Sequence, residues 1–397
     1  MLETFLTWFA ALCLGAVVYS YAVYPLLLVA IAGLSQSLRD VRYVTGKRER
    51  RNPGAASGVL PAVAVVISAY NEEQHVRARV ENLLGLDYPR ELLHVYIGSD
   101  GSHDRTGQIL AGLRQENVHA HAFAENRGKA SVLNDLVART HEPVLVFSDA
   151  NTLFARDAVR RLVAHFRDPS VGAVSGELRL RDAAGDNQDS LYWRVEQVLK
   201  FFEARLGGLL GANGAIYAIR REYWRPLAAD TICDDFCVAM SVSAAGRRLV
   251  YEPAAWAEED TPDAISDEFH RRVRIGIGNF QALFRHPEYL LCTSLATRFA
   301  YVSHKVLRWI APHLLIAGLL ASLVLASQSR LWLCLASLQL AGYAVAGLLY
   351  AASLRGARLP SLLRIPAFLF ALNLAFLLGS LRYASGNYRG SWKRTRR

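Results

Sequence analysis

The stretch that decides the fold is Val144-Leu145-Val146-Phe147-Ser148-Asp149-Ala150-Asn151-Thr152. An apolar, β-branched run, Val144–Ser148, ends abruptly on a carboxylate followed by turn formers. The same pattern recurs upstream. Val63–Ser68 is a β-type run, followed by a helix from about Glu72 to Leu84 with Asn71 as its N-cap. His94–Gly98 is a second strand that ends in Ser99-Asp100-Gly101-Ser102, ahead of a helix from Asp104 to about Glu116. Val118–Phe123 is a third strand, the Lys129–Thr140 helix leads into Val144, and Val171–Leu180 is a later strand. This alternation predicts an α/β domain, a mainly parallel sheet with helices on both faces. Ligands of such sheets bind beyond the carboxyl ends of the strands, where Asp100 and Asp149 stand.

Composition puts this domain beside a membrane. Of the 397 residues, 52% are hydrophobic. From Thr4 to Leu38 no residue is charged, enough for a helix of about 20 residues to cross a bilayer. The run is too long, and starts too acidic, for a cleaved signal peptide. Uncharged runs recur at Trp309–Ser329, Leu331–Leu354 and Ile365–Leu381, with Trp8, Tyr19, Trp309, Trp332 and Tyr350 as candidate interfacial anchors. The net charge of +10 is concentrated in two short stretches, +4 over residues 39–51 and +6 over residues 382–397, while residues 52–297 sum to −6. That excludes a nucleic-acid-binding body, a disordered chain and a small disulfide scaffold. Basic residues after the first span predict a cytoplasmic middle region in the inner or plasma membrane. Four crossings would then leave the basic tail outside, against the same rule. The five cysteines are scattered, none in a CxxC pair, and are expected as free thiols.

The sequence has no GxGxxG and no GxxxxGK[ST], which excludes the phosphate cradles of dinucleotide dehydrogenases and P-loop nucleotidases. No histidines fall at zinc-ligand spacing. A nucleotide-binding sheet without a Gly-rich loop needs carboxylate-bound metal and fixed cations to neutralise phosphate.

Five motifs occur in order: Ala69-Tyr70-Asn71-Glu72-Glu73, Ser99-Asp100-Gly101-Ser102, Asn126-Arg127-Gly128-Lys129, Ser148-Asp149-Ala150-Asn151 and Cys233-Asp234-Asp235-Phe236. Together they resemble the membrane-embedded family 2 glycosyltransferases of GT-A fold, relatives of cellulose, hyaluronan and poly-N-acetylglucosamine synthases. The resemblance covers about residues 60–290. It implies a Rossmann-like nucleotide-diphospho-sugar transferase domain between an N-terminal transmembrane helix and a C-terminal helical membrane region.

The resemblance also implies roles. Asp235 takes the place of the catalytic base, with Asp234 beside it in place of the family's glutamate. Asp149 and Asn151 fill the DxD position, which holds Mg²⁺ or Mn²⁺ and the diphosphate; Asn151 brings an amide oxygen and no charge. Glu72, Asp100 and Lys129 match positions near the nucleoside. Gly214, in Gly211–Ile219, matches the strand near the acceptor, and Asp234 is assigned to the same acceptor end. The family's QxxRW motif is degenerate: Arg271-Arg272-Val273-Arg274-Ile275 is its counterpart, with Arg274 as a diphosphate clamp and Ile275 where the family has Trp. Phe269, Val273, Ile277, Phe280 and Phe284 recur at near-helical spacing, as on an amphipathic helix at the membrane surface. Trp193 and Trp224 fit packing better than a sugar platform.

The expected organisation is a span over residues 1–38, a basic linker over 39–60, a cytoplasmic GT-A domain over 61–290, and a region of about three spans with a basic tail over 291–397. The expected activity is inverting transfer from a UDP-sugar to a glycan or glycolipid hydroxyl, in exopolysaccharide or cell-envelope glycan synthesis. Expected partners are the UDP-sugar, a glycan or lipid-linked acceptor, the bilayer and other polysaccharide-export components, with no nucleic acid. Two alternatives stand beside it: a single-transfer enzyme acting on polyprenyl phosphate or glycolipid, and an inactive nucleotide-sugar-binding membrane subunit.

Overall fold

The computed structural model describes residues 1–46, 59–181, 190–260, 265–357 and 359–388. Most of the basic linker and the last nine residues of the basic tail therefore lie outside the described residues.

The chain opens with α1 (Leu2–Val18), a π-turn at Tyr19–Val23 and α2 (Tyr24–Gly46). The wider turn precedes Pro25, which has no N–H to give the helix ladder. The α/β domain follows: β1 (Val63–Ala69), α3 (Val76–Leu84), β2 (Leu93–Asp100), α4 (Thr106–Ala111), β3 (Val118–Phe123), α5 (Lys129–Val137), β4 (Val144–Asp149), β5 (Leu153–Phe154) and α6 (Ala158–Ala164). It continues with β6 (Val171–Arg181), α7 (Ser190–Arg205), β7 (Tyr217–Arg220), α8 (Asp234–Ala244) and β8 (Arg248–Asp260). Then come α9 (Ile265–Arg285), the short α10 (Glu288–Leu291) and α11 (Leu295–Ala300), and three long helices, α12 (Leu307–Leu325), α13 (Arg330–Leu354) and α14 (Ser361–Ala384).

The sheet has eight strands in the order β3-β2-β1-β4-β7-β6-β8-β5. Its first half is parallel as expected, with β1 between β2 and β4. The second half is mixed, because β7 runs antiparallel to both β4 and β6. Every residue of β1 is buried, as for a strand covered on both faces. Val63, Val65 and Ile67 meet α3 and α6 through Val76, Leu83, Val159 and Leu162. Ala64 and Val66 belong to the opposite layer, with Val132 and Leu136 of α5 and Val238 and Val242 of α8. The chain order places the carboxyl ends of β1, β2 and β4 on one edge.

Two local expectations shift. The helix expected from Glu72 starts at Val76, because Asn71 adopts a left-handed φ of 56° instead of capping. Its backbone N–H donates to Ser102 Oγ and its side-chain oxygen accepts from His103 N–H. The helix expected over Asp104–Glu116 is confined to Thr106–Ala111.

Among the described residues, four helical stretches are long and apolar enough to cross a membrane: Leu2–Arg42, Leu295–Leu325, Arg330–Leu354 and Ser361–Ala384. The first runs against α12, with Leu14 and Cys13 over Gly318, and Tyr19 and Ser20 bonded to Ser303. Trp309, offered as an interfacial anchor, is only 3% exposed and packs with Leu372 and Phe376. All five cysteines are free.

Candidate active site

The sheet edge gathers the carboxylates. β4 delivers Asp149, and Asp234 and Asp235 open α8, where acidic side chains suit the helix N-terminus. Lys129, at the start of α5, stands between them. Its Nζ lies 2.9 Å from Asp149 Oδ1 and 3.3 Å from Asp234 Oδ2. Burial alone would lower the Lys129 pKa, but Asp149 and Asp234 hold it above the ordinary lysine value. Lys129 is thus a fixed cation among three carboxylates.

Asp235 lies beside this group. Burial first, and Asp234 second, push its pKa up to about 6, against the pull of Lys129. A Cβ added to Gly214 would stand 3.0 Å from Asp235 Oδ2. Gly214 therefore lets the backbone of the loop ahead of β7 approach the carboxylate. The resemblance assigned Gly214 to the acceptor end and Asp235 as the base without pairing them, and the fold sets them side by side.

Asp100 is fully buried, and its carboxylate accepts from the backbone N–H groups of Arg127 and Gly128 at 2.8 and 2.9 Å. Those bonds fasten the turn that aims Lys129. Glu72 is 8% exposed and bonds His75 Nδ1 at 2.8 Å, while its backbone N–H donates to Thr106 Oγ1. The loops after β1 and β2 are cross-stitched further by Asp104, which accepts from Glu73 N–H and Thr106 N–H.

Arg274 lies on α9, which docks against the residue preceding Asp234. Cys233 Sγ contacts the Ile275 carbonyl at 3.8 Å, and a Cβ on Gly278 would strike Cys233 Sγ at 2.5 Å. The Cys233 thiol is pushed well above its usual range by burial and by Asp235, and Arg274 acts on it in the opposite direction. Arg274 Nε is a buried donor with no hydrogen-bond partner. The degenerate QxxRW stretch thus reaches Cys233, the residue that precedes the Asp234-Asp235 pair.

Among the described residues, no three His, Cys, Asp or Glu side chains gather into a protein-only metal cage. A Mg²⁺-type site needs only one or two carboxylates plus substrate phosphates. Asp149, with its side chain 36% exposed, has that character. The Asn151 amide donates to Glu259 Oε1 at 3.1 Å.

Two cations at the site carry no sequence motif. Arg79 of α3 is fully buried, donates to Ser148 Oγ and Asn82 Oδ1 at 2.8 Å, and stacks 4.1 Å over Phe154. It braces the end of β4 from behind, and burial lowers its pKa to about 9 against the pull of Asp149. Lys200 of α7 donates to Ser175 Oγ at 2.8 Å, and the same oxygen accepts from Asn213 N–H in the Gly214 loop. Burial lowers the Lys200 pKa to about 8, while Asp235 opposes the shift. Trp224 stacks on Phe147 at 5.2 Å, as packing requires, and the side chain of Trp193 lies outside the described residues.

Known proteins of similar sequence and fold exist. Residues 64–230 match the family model "Glycosyl transferase family 2", a stretch that includes Glu72, Asp100, Lys129 and Asp149 and stops just short of Asp234. The chain is 26% identical over 258 residues to a poly-beta-1,6-N-acetyl-D-glucosamine synthase of Staphylococcus aureus, covering 62% of this chain and 60% of that one. It is 26% identical over 237 residues to the synthase of the same name from Staphylococcus epidermidis, covering 57% and 56%. The alignment therefore spans about three fifths of the length of these relatives, 60% in the first case. Among solved structures, a mannosyltransferase from Pyrobaculum calidifontis in complex with GDP-Man and Mn²⁺ superposes with a TM-score of 0.67 at 21% identity, covering 98% of this chain and all of that one. Residues 64–230 thus match the family 2 glycosyltransferase model, the chain shares the fold of that solved mannosyltransferase, and it joins this domain to helices of membrane-spanning length.

Proposed function

We propose that the protein is an inverting, membrane-embedded glycosyltransferase that moves a sugar from a UDP-sugar to a glycan or glycolipid hydroxyl in exopolysaccharide synthesis. The observation that carries this reading is the convergence of Asp149, Asp234 and Asp235 around Lys129, with Asp235 against Gly214. Similarity to the staphylococcal synthases supports the product class.

The chemistry follows from the geometry. Asp235, a carboxylate with a raised pKa, takes the proton of the acceptor hydroxyl. The oxygen then forms a bond to the anomeric carbon as the bond to the diphosphate breaks, which inverts the centre. Arg274 and Lys129 stabilise the charge that grows on the departing diphosphate. Asp100 sets the turn that presents Lys129, and with Glu72 it shapes the nucleoside end of the site. A Mg²⁺ or Mn²⁺ ion held by Asp149, beside Asn151, would supply further charge neutralisation of the diphosphate. The Mn²⁺ of the Pyrobaculum structure supports a divalent cation in this role. The domain faces the cytoplasm, the side that holds nucleotide sugars and that the basic linker favours.

The test is a panel of radiolabelled UDP-sugars offered to the purified full chain with Mg²⁺ or Mn²⁺, reading UDP release and product size together. Transfer is expected from the wild type and lost in Asp235→Asn, with UDP binding retained. Full transfer by Asp235→Asn would sink the mechanism. Binding of UDP without release by the wild type would favour a non-catalytic subunit.

A further inference from the structure

The fourth apolar helix has both ends on the catalytic domain's side. It follows α13, whose Tyr350 ring lies 6.1 Å from Phe269 at the start of α9. Beyond its last turn, the Tyr388 hydroxyl accepts from Arg285 at 2.8 Å. Arg285 is clamped through two nitrogens, each at 2.8 Å, on Asp230 in the loop ahead of α8. A helix crossing a hydrocarbon layer of about 30 Å would carry residue 388 a membrane thickness away from that loop.

Between its ends, α14 runs along α9 in the same direction. Arg272 lies 4.5 Å over the Phe368 ring, Gly276 meets Gly379, and Phe284 stacks on Tyr383 at 5.8 Å. α9 is not a membrane span. It carries Glu268, Arg271, Arg272, Arg274 and Arg285, and it docks on Cys233 and Asp230 of the domain. A crossing α14 would draw these charges into hydrocarbon, where charged side chains are costly.

Charge gives an independent argument. With three crossings, both basic stretches fall on the domain's side. With four, the +6 of residues 382–397 falls on the opposite side.

We propose that α14 does not cross the membrane but lies in the leaflet nearest the catalytic domain. Its outward apolar residues Leu362, Leu363, Ile365 and Leu381, 39–78% exposed, face the acyl chains of that leaflet. The basic tail then starts on the domain's side, in keeping with the positive-inside rule. The chain crosses three times, through the α1–α2 stretch, the stretch ending in α12, and α13.

The experiment is protease protection of the full chain in spheroplasts and in sealed inverted vesicles. An epitope and cleavage site are appended after Arg397, and a second version carries the site at Gln328, between α12 and α13. The appended epitope should be lost only in inverted vesicles, and the Gln328 site cut only in spheroplasts. Cleavage of both sites from the same side would overturn the proposal. So would a tail protected on both sides until detergent is added.

Discussion

At the residue scale the site turns on Asp235. Its raised pKa has two named causes, burial and the adjacent Asp234. As the proposed base, Asp235 would work only when deprotonated, so kcat/KM is expected to rise with pH through about 6 and to fall about tenfold per unit below it. Replacing Asp234 by Asn removes the like charge, and the inflection should then move to lower pH. An unmoved inflection in the Asp234→Asn profile would assign the titration to another group. These carboxylates were legible in the sequence because each sits in a short local motif at a strand or helix end. Arg79 and Lys200 were not, since they reach the site across the fold, from the α3 face and from α7. An arginine in an amphipathic helical pattern reads as a solvated residue until the sheet is packed over it.

Elements were legible where periodicity was local. β1 to β4 and α5 lie close to their expected bounds because alternating apolar runs and turn formers mark them directly. The start of α3 was misread because Asn71 is tied to the next loop, a contact no nearest-neighbour pattern reveals. The antiparallel half of the sheet was also hidden, since β7 is only four residues long and β8 carries polar and charged side chains. α9 was legible as amphipathic, but its protein partner was not: part of its face packs on α14. The closest approach is at Gly276 and Gly379, where a Cβ on Gly379 would stand 2.8 Å from the Gly276 carbonyl carbon. Gly379→Leu should therefore force the two helices apart, at about 1–3 kcal/mol. Thermal unfolding in detergent would register the loss. An unchanged Tm would mean that the pair does not pack as described.

At the scale of the whole molecule, a buried charge network joins the α/β domain to its helices. Glu203 of α7 accepts from Tyr24 of α2 at 2.8 Å and lies 2.6 Å from His304, ahead of α12. Glu196 meets His304 at 3.1 Å and Arg308 at 2.6 Å, with Lys305 at 3.4 Å. Breaking a buried pair leaves an uncompensated charge, so Arg308→Met should cost about 3–5 kcal/mol and lower the Tm. The pH dependence of this joint separates it from the chemistry. Burial alone would raise the Glu196 pKa, but His304, Lys305 and Arg308 hold it well below the usual carboxylate range. A carboxylate depressed in the folded state contributes stability above its unfolded pKa, and that contribution is lost as pH falls through the folded value. The joint should therefore hold from neutral pH down to the ordinary carboxylate range, while Asp235 protonates already near 6. Between pH 8 and 5, activity is expected to fall while the Tm does not, since protonating a carboxyl whose folded pKa is raised adds stability. If activity and Tm fall together over that range, the loss of rate reports the domain coming away from its helices, and the assignment of Asp235 as the titrating base fails.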